Sequence, residues 1–430
     1  MKVLWIVNIP FGPMMELVGL KGDNPSGSWL NAALNEFIGD SSIEVCVATT
    51  WKSSQFCYTT RNNVSYCILP GGPPARYNSQ SSKNAKLWAT LRDRFSPDVI
   101  HVWGTEFRHG YHAMCVMNEV PAIIYMQGLL DSIARYYVSG LSRKEQLLCR
   151  GLRELLTVNP VEKVRLQYEK RAKCESLMIA RAKNVIVEND WCAAHCTAIA
   201  EDCQIFRSKL PVREEFYHCE WSLSRMQPFS IMCNTSGYPI KGLHMLIKAL
   251  SLIVKKYPNV VLKIPGDSFT SAKGLLGKIR ARMGYSRLIR YLIDHYGLCG
   301  NVKFLGCVPT SQMFAQEMAT ANVFVMPSSI ENHSSTLIEA MIVGVPCVAS
   351  DVGGISELIT HGKTGFLYRF EEYELLAHYV AQIFSDRALA AKIGSQTMTE
   401  MRRQRQSEGI KTEFLAFYEQ VMKKKPRITI

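Results

Sequence analysis

The sequence predicts an α/β protein made of two doubly wound domains, each with a parallel β-sheet, facing each other across a cleft. Three observations support this fold class. The chain has 430 residues, too many for one compact core. Short apolar runs alternate with amphipathic stretches, which is typical of repeated strand–helix–strand units. The alternation also pauses once near the middle of the chain and then restarts.

In the first half, five short apolar runs predict buried strands, and amphipathic stretches between them predict helices. Residues 206–229 break this rhythm, because they lack periodicity and contain two prolines. We therefore interpret this stretch as a linker between domains. The predicted strands are residues 3–7, 43–48, 99–102, 122–125 and 185–187, and the predicted helices include 29–37, 87–94 and 164–181.

The rhythm restarts at residue 230, with strands at 230–233, 260–264, 302–305, 323–326 and 346–349. The helices predicted between these strands include 243–255, 310–319 and 335–343. The resulting boundaries are a first domain at 1–210, a linker at 211–228, a second domain at 229–405 and a terminal helix at 406–430. This last helix could pack back on the first domain.

Charge and cysteine content narrow the class of protein. The chain has 50 basic and 37 acidic residues, a net charge of +13, which favours an anionic partner. Its 14 cysteines show no zinc-binding spacing, as expected for reduced thiols in a cytosolic protein. No window approaches the roughly 18 apolar residues of a membrane-spanning helix. We expect a cytoplasmic protein, soluble or peripheral on the inner face of the cell membrane.

The most informative stretch is "PSSIENHSSTLIEAMIVGVPCVASDVGG", which follows the predicted strand 323–326. Thr336-x-x-Glu339 fits a capping box, in which the glutamate accepts from a free backbone N–H at a helix start. Ser328-x-x-Glu331 fits the same pattern. One interpretation is therefore that both glutamates only cap helices and bind no ligand.

A ligand site is the other interpretation. A polar run precedes the helix, and a helix start binds phosphate through its free N–H groups and its dipole. A carboxylate inside the helix could bind ribose hydroxyls, and one before the helix could bind a sugar. The run consists of Asn332, His333, Ser334, Ser335 and Thr336.

With the residues that follow it, this stretch resembles the donor-site signature of retaining GT-B glycosyltransferases of family 4. Downstream, "HGKTGFLY" is also similar to the family pattern. The resemblance implies the GT-B fold, with an acceptor-binding first domain and a second domain that binds a nucleotide-sugar. The matching positions are Glu331, Glu339, Gly344, Pro346, Gly353, Gly354 and Glu357.

The resemblance also implies roles by position. Glu339 would bind the nucleotide ribose, and Glu331 would contact the donor sugar as a catalytic residue. The polar run from Asn332 to Thr336 would face the diphosphate. In "SGYPIKGLHMLIKAL", Lys241 matches the lysine that the family places on the diphosphate, although a solvated lysine at a helix start is the ordinary alternative. Tyr238 stands where the family often has an arginine.

In the first half of the chain, the similarity to the family is weaker. Gly27 and Ser28 resemble the family's glycine loop beneath the donor phosphates, but a turn followed by a helix cap explains them equally well. Gln127 stands where many members have a histidine near the reacting carbon. Glu106 and His109, after the strand 99–102, are candidates to contact the acceptor. The alternative is that they are ordinary polar residues of a surface loop.

The expected function is retaining transfer of a sugar, with UDP slightly preferred as the carrier, to a lipid-linked bacterial surface polysaccharide such as capsule. The sequence lacks the D-x-D motif of metal-dependent glycosyltransferases, so no metal and no cofactor is expected. Basic residues between 143 and 183 could contact an anionic membrane. Alternatives are another GT-B enzyme, such as a nucleotide-sugar epimerase, and a basic nucleic-acid-binding protein. The chain lacks base-reading motifs, so no nucleic-acid partner is expected.

Overall fold

The computed structural model describes residues 1–20, 28–150, 160–233, 237–266, 284–306, 308–405 and 409–423. The chain divides into two compact units. The first comprises Met1–Asp131, Glu169–Pro211 and Ser407–Ile430, and the second comprises Ser132–Tyr168 and Val212–Gln406. Each unit is built on a largely parallel β-sheet, which confirms the predicted α/β class.

The sheet of the first unit has eight strands in the order β3-β4-β2-β1-β5-β6-β7-β8. All neighbouring strands are parallel except β3 and β4. Central strands such as β5 are buried at every position, because both faces of a parallel sheet are covered. The strands are β1 (Lys2–Ile6), β2 (Glu44–Trp51), β3 (Cys57–Arg61), β4 (Val64–Pro70), β5 (Val99–Trp103), β6 (Ala122–Tyr125), β7 (Asn184–Val187) and β8 (Gln204–Arg207).

The sheet of the second unit has six strands in the order β11-β10-β9-β12-β13-β14, and every neighbouring pair is parallel. From β9 the chain builds outward in one direction through β10 and β11. It then returns to the other side of β9 and continues through β12. The strands are β9 (Ser230–Cys233), β10 (Val261–Pro265), β11 (Val302–Gly306), β12 (Val323–Met326), β13 (Cys347–Ser350) and β14 (Phe366–Tyr368).

Helices connect these strands. None of the helices in the described ranges combines the length and the apolar character needed to cross a membrane. They are α1 (Met14–Leu17), α2 (Ser28–Asn35), α3 (Ser82–Phe95), α4 (Arg108–Val116), α5 (Leu130–Tyr136), α6 (Arg143–Leu148), α7 (Pro160–Ala182), α8 (Asp190–Ile199), α9 (Leu243–Lys256), α10 (Gly284–His295), α11 (Ser311–Ala319), α12 (Ser335–Val343), α13 (Tyr373–Ser385), α14 (Arg387–Gln404) and α15 (Ile410–Lys423).

The terminal helix α15 belongs to the first unit, where it packs on an aromatic layer of the sheet. The buried hydroxyl of Tyr418 accepts from Trp5 Nε1 at 3.2 Å and lies 2.7 Å from His101 Nδ1. Burial lowers the pKa of His101 to about 3, so this imidazole is neutral and fits an apolar core. These long-range contacts fix α15 in the first unit.

Residues 132–168 group with the second unit, whereas the sequence places them in the first domain. Their contacts explain this. Tyr137, Cys149 and Val161 are buried in the same apolar cluster as α9. Glu145 also forms an ion pair with Lys248 of α9, with 2.7 Å between Oε1 and Nζ. The segment predicted as a linker likewise belongs to the second unit from Val212 onward.

The point between β9 and β12 is where the strand order of the second sheet reverses. In open α/β sheets, ligands bind at such a point, beyond the carboxyl ends of the strands. The loops that follow β9 and β12 are therefore the first place to look for a functional site.

Candidate functional site

The loops after β9 and β12 are joined by their backbones. Ser329 N donates to Ile240 O at 2.7 Å. Gly242 is the N-cap of α9 and has φ +67°, and a Cβ atom at this position would lie 1.6 Å from Pro327 O. Only glycine permits both this left-handed conformation and this close approach. The two loops therefore hold each other at a fixed distance.

An ion pair forms where these loops meet. Lys241 Nζ lies 2.5 Å from Glu331 Oε1, and Ser328 Oγ donates to the same oxygen at 2.8 Å. Glu331 is buried, while the Lys241 side chain is 27% exposed. The capping box predicted for Ser328 and Glu331 is wrong, since no helix starts there and the two side chains bond to each other. The structure thus brings two predicted site residues together.

The glycine pair after β13 holds the backbone of Glu331. Gly354 N donates to Glu331 O at 3.1 Å. Gly353 has φ +56°, and a Cβ atom there would lie 1.9 Å from Glu331 O. The position of the carboxylate therefore depends on two loops besides its own.

The polar run leads into the N-terminus of α12. Ser334 is the N-cap, and its side chain accepts from Leu337 N at 3.4 Å. Asn332 and Ser334 are buried, Thr336 is half-buried and Ser335 is exposed. His333 Nε2 lies 2.7 Å from Arg405 Nη2 at the end of α14. Because a guanidinium group can only donate, Nε2 is the acceptor in this contact.

Glu339 lies inside α12, beyond the first turn. The capping box predicted for Thr336 and Glu339 is wrong, because the cap is Ser334. Instead, Glu339 Oε1 accepts from Arg213 Nε at 2.8 Å, and Arg213 Nη2 lies 2.8 Å from the same oxygen. Glu339 is 4% exposed, and this burial raises its pKa to about 7, although Arg213 acts in the opposite direction.

A cavity of about 430 Å³ opens beside these groups. It combines a cation, a carboxylate and the positive end of a helix, which together can bind an anion joined to a polyhydroxyl group. Glu339 and Asn332 are not among its lining residues. Those residues are Lys241, Pro265, Gly266, Val308, Phe314, Glu331, His333, Ser334, Ser335 and Thr336.

The candidates of the first unit are placed as follows. Gly27 lies outside the described residues, and Ser28 is the first residue of α2, with its side chain outside the description. Gln127 is half-buried, two residues after β6. The roles predicted for these three residues stay predictions.

Glu106 and His109 follow β5 and differ in environment. Glu106 Oε2 accepts from Asn8 Nδ2 at 2.5 Å, and burial raises the pKa of the Glu106 carboxyl. His109 is 1% exposed, its Nε2 lies 3.0 Å from Val7 O, and burial lowers its pKa to about 4. The acceptor role expected for His109 does not fit this position, because the ring is enclosed in the core.

Arg213 lies in the stretch interpreted as a linker, and no role in the site is predicted for it from the sequence. Besides Glu339, Arg213 donates from Nη1 to Ser311 Oγ at 3.0 Å. Its guanidinium lies 4.6 Å from the ring centre of Phe216. No local pattern indicates these contacts, since Arg213 and Glu339 are 126 positions apart.

Comparison with known proteins finds a family model that matches part of the second unit. Residues 222–399 match the family model described as glycosyl transferases group 1. A D-inositol 3-phosphate glycosyltransferase from Corynebacterium urealyticum is 26% identical over 147 residues, which are 34% of this chain and 32% of that protein. The match thus spans about a third of the relative's length.

Solved structures give the fold of the whole chain. Sucrose-phosphate synthase from Thermosynechococcus elongatus has a TM-score of 0.71 at 18% identity, covering 98% of this chain and 99% of that one. HepE from Anabaena, solved in complex with UDP and glucose, has a TM-score of 0.65 at 18% identity, covering 98% and 100%. These structures are GT-B glycosyltransferases, so the predicted GT-B fold is confirmed.

Substituting Gly353 tests how Glu331 is held. Gly353→Ala and Gly362→Ala both place a side chain at positive φ, but only the first meets backbone, since nothing lies within 4 Å of a Cβ atom at Gly362. We expect each to lose about 1 kcal/mol of stability from backbone strain, and Gly353→Ala about 1–3 kcal/mol more from overpacking. Urea unfolding measures both, and equal losses would contradict a tight contact between Gly353 and Glu331.

Proposed function

We propose that this chain is a retaining glycosyltransferase acting on a nucleoside-diphosphate sugar, because residues 222–399 match the family model described as glycosyl transferases group 1. The acceptor is a hydroxyl of a growing, lipid-linked bacterial surface polysaccharide such as capsule. The observation that carries the proposal is the cavity where Lys241, Glu331 and the start of α12 meet. UDP is the preferred carrier, which the UDP complex of the HepE structure supports.

The reaction exchanges one bond of the donor sugar for another. The bond from the sugar's anomeric carbon to the diphosphate breaks, and a bond from that carbon to the acceptor oxygen forms on the same face. The acceptor proton passes to a phosphate oxygen, and the nucleoside diphosphate leaves. The protein's main task is then to stabilise negative charge on the leaving diphosphate.

Lys241 and the N-terminus of α12 suit that task. The lysine contributes a full positive charge, and the helix start contributes free N–H groups and its dipole. These groups can hold a diphosphate without a metal ion, so we propose that no metal and no other cofactor takes part. In this scheme Glu331 accepts hydrogen bonds from the donor sugar, Glu339 binds the ribose, and Gln127 and Glu106 contact sugar hydroxyls.

The Lys241–Glu331 pair sets the balance of charge in the cavity. Removing one partner of a buried pair leaves the other charge uncompensated. In the unliganded site Glu331 therefore keeps Lys241 in place. A bound diphosphate would offer Lys241 a second, more highly charged partner and free Glu331 to accept from sugar hydroxyls.

We also propose that the enzyme works at the inner face of the cell membrane as a peripheral cytoplasmic protein. Lys170, Lys173 and Leu177 are exposed on α7, with Leu177 53% exposed. Basic side chains near an anionic bilayer each contribute about 1 kcal/mol of binding, and an exposed leucine adds apolar contact. A lipid-linked acceptor would be reached most readily from such a position.

Nucleotide specificity tests the function directly. We expect UDP and UDP-sugars to raise the melting temperature of the protein more than GDP and GDP-sugars do, because ligands that bind the folded state stabilise it. The sugar donor that stabilises most should be hydrolysed slowly without acceptor, and chromatography of the released sugar would show the same anomer as the donor. An inverted anomer or an epimerised nucleotide-sugar would contradict the proposal.

Lys241→Ala should weaken UDP binding more than uridine binding, since only UDP carries the diphosphate. The expected loss is about tenfold or more for UDP, the scale of a charge-assisted hydrogen bond, and little for uridine. Isothermal titration calorimetry measures both affinities. Lys255→Ala, an exposed position near the end of α9, is the control and should change neither. Equal losses for UDP and uridine would exclude Lys241 from the phosphate site.

Lys170→Glu combined with Lys173→Glu should reduce binding to anionic vesicles. Co-sedimentation with phosphatidylglycerol vesicles at 0.1 M salt measures this, and neutral phosphatidylcholine vesicles are the lipid control. We expect the loss to be about tenfold or more, because each charge reversal removes an attraction and adds a repulsion. Unchanged sedimentation would contradict a membrane contact through Lys170 and Lys173.

A further inference from the structure

Arg213 is a charged group near the cavity that the proposed mechanism does not use. Its Nε atom donates to Glu339 Oε1 at 2.8 Å, its Nη2 atom lies 2.8 Å from the same oxygen, and its Nη1 atom donates to Ser311 Oγ at 3.0 Å. The guanidinium carbon lies 4.6 Å from the ring centre of Phe216 and 6.0 Å from that of Phe314. Phe314 also lines the cavity. The side chain is thus fixed by contacts on several sides.

Arg213 Nε and Nη2 both contact the same oxygen of Glu339, Oε1. Among the described residues, no group donates to the other oxygen, Oε2. A carboxylate offers about four acceptor positions, whereas a protonated carboxyl group gives up one of them to its own hydrogen. Two neighbouring ribose hydroxyls are therefore bound better by the ionised form of Glu339, aligned by Arg213.

Given the proposed function, we propose that Arg213 is a positioning residue of the nucleotide site, holding Glu339 ionised and aligned to accept from the ribose hydroxyls of a nucleoside diphosphate. The inference rests on the proposed function but concerns a residue that no signature of the sequence indicates. It also assigns the segment predicted as a linker a part in substrate binding.

The electrostatics of the pair support this role. Burial raises the pKa of Glu339 to about 7, Glu215 acts in the same direction, and Arg213 opposes both. Without Arg213, this pKa would rise further and Glu339 would be neutral at pH 7. Several other charged groups on elements that pack against α12 have partners of their own. They are Glu214 with His218, Glu317 with Lys263, Arg402 with Ile342 O and Glu220, and Arg405 with His333.

The experiment measures UDP affinity from pH 6 to pH 9 in four proteins: wild type, Arg213→Gln, Arg213→Lys and Glu339→Gln. Affinity in the wild type should fall as Glu339 protonates near pH 7. Arg213→Gln should move this midpoint upward by about one pH unit, which is an affinity loss of about fivefold at pH 7 that high pH restores. Arg213→Lys keeps the charge and should move the midpoint less. Phosphate titration is common to all four proteins, and Glu339→Gln shows its contribution alone.

A structural role for Arg213 would lower affinity equally at every pH, so an unshifted midpoint in Arg213→Gln overturns the inference while leaving the proposed function intact. A wild type that binds no nucleotide overturns both.

A second measurement needs no ligand. Because the folded-state pKa of Glu339 is raised, its ionisation costs stability as the pH rises from the unfolded value of about 4.5 toward the folded one. The stability difference between wild type and Glu339→Gln should therefore change with pH up to about 7. In the Arg213→Gln background the change should continue to higher pH, and a curve that does not move would contradict the electrostatic role.

Discussion

The close backbone approach of three loops at the carboxyl edge of the second sheet is the constraint on which the candidate site depends. Gly242 lies against the carbonyl of Pro327, and Gly353 lies against the carbonyl of Glu331. Without side chains at these positions, the loop after β12 is held between its neighbours. The charged groups can then occupy fixed positions although they extend from loops.

Burial determines how those charges behave. The Lys241–Glu331 pair is only partly accessible, and Glu339 is almost fully enclosed beside Arg213. In such surroundings a charge is stable only when it has a partner, so each ionised group implies another. The site therefore carries alternating charges rather than a simple positive pocket. An anionic ligand would bind by exchanging partners with Glu331, in addition to adding its own contacts.

The fold could be predicted to a large extent because strand–helix alternation is a local signal. The strands found at Val323–Met326 and Ser230–Cys233 have the bounds that their apolar runs predict.

The site was partly predictable for the same reason. Glu331 and the polar run follow one strand, and Lys241 lies just before the helix that follows another strand. The helix at 335–343 has its predicted bounds, whereas the alternative with Thr336 as the cap is wrong, since Ser334 and Thr336 are equally good caps in isolation. Contacts between distant parts of the chain pair Arg213 with Glu339 and bury His109. Such contacts cannot be predicted from a short stretch of sequence.

The second unit is discontinuous in sequence, because it includes the segment Ser132–Tyr168. This segment contributes Tyr137, Cys149 and Val161 to the core around α9, and Tyr136 O accepts from Ser329 Oγ beside the candidate site. A fragment that begins at Val212 would therefore expose an apolar face and lose a support of the loop that carries Glu331. The same holds for recombination. A gene segment encoding the second unit could be exchanged between relatives only if residues 132–168 were transferred with it or were replaced by an equivalent in the recipient.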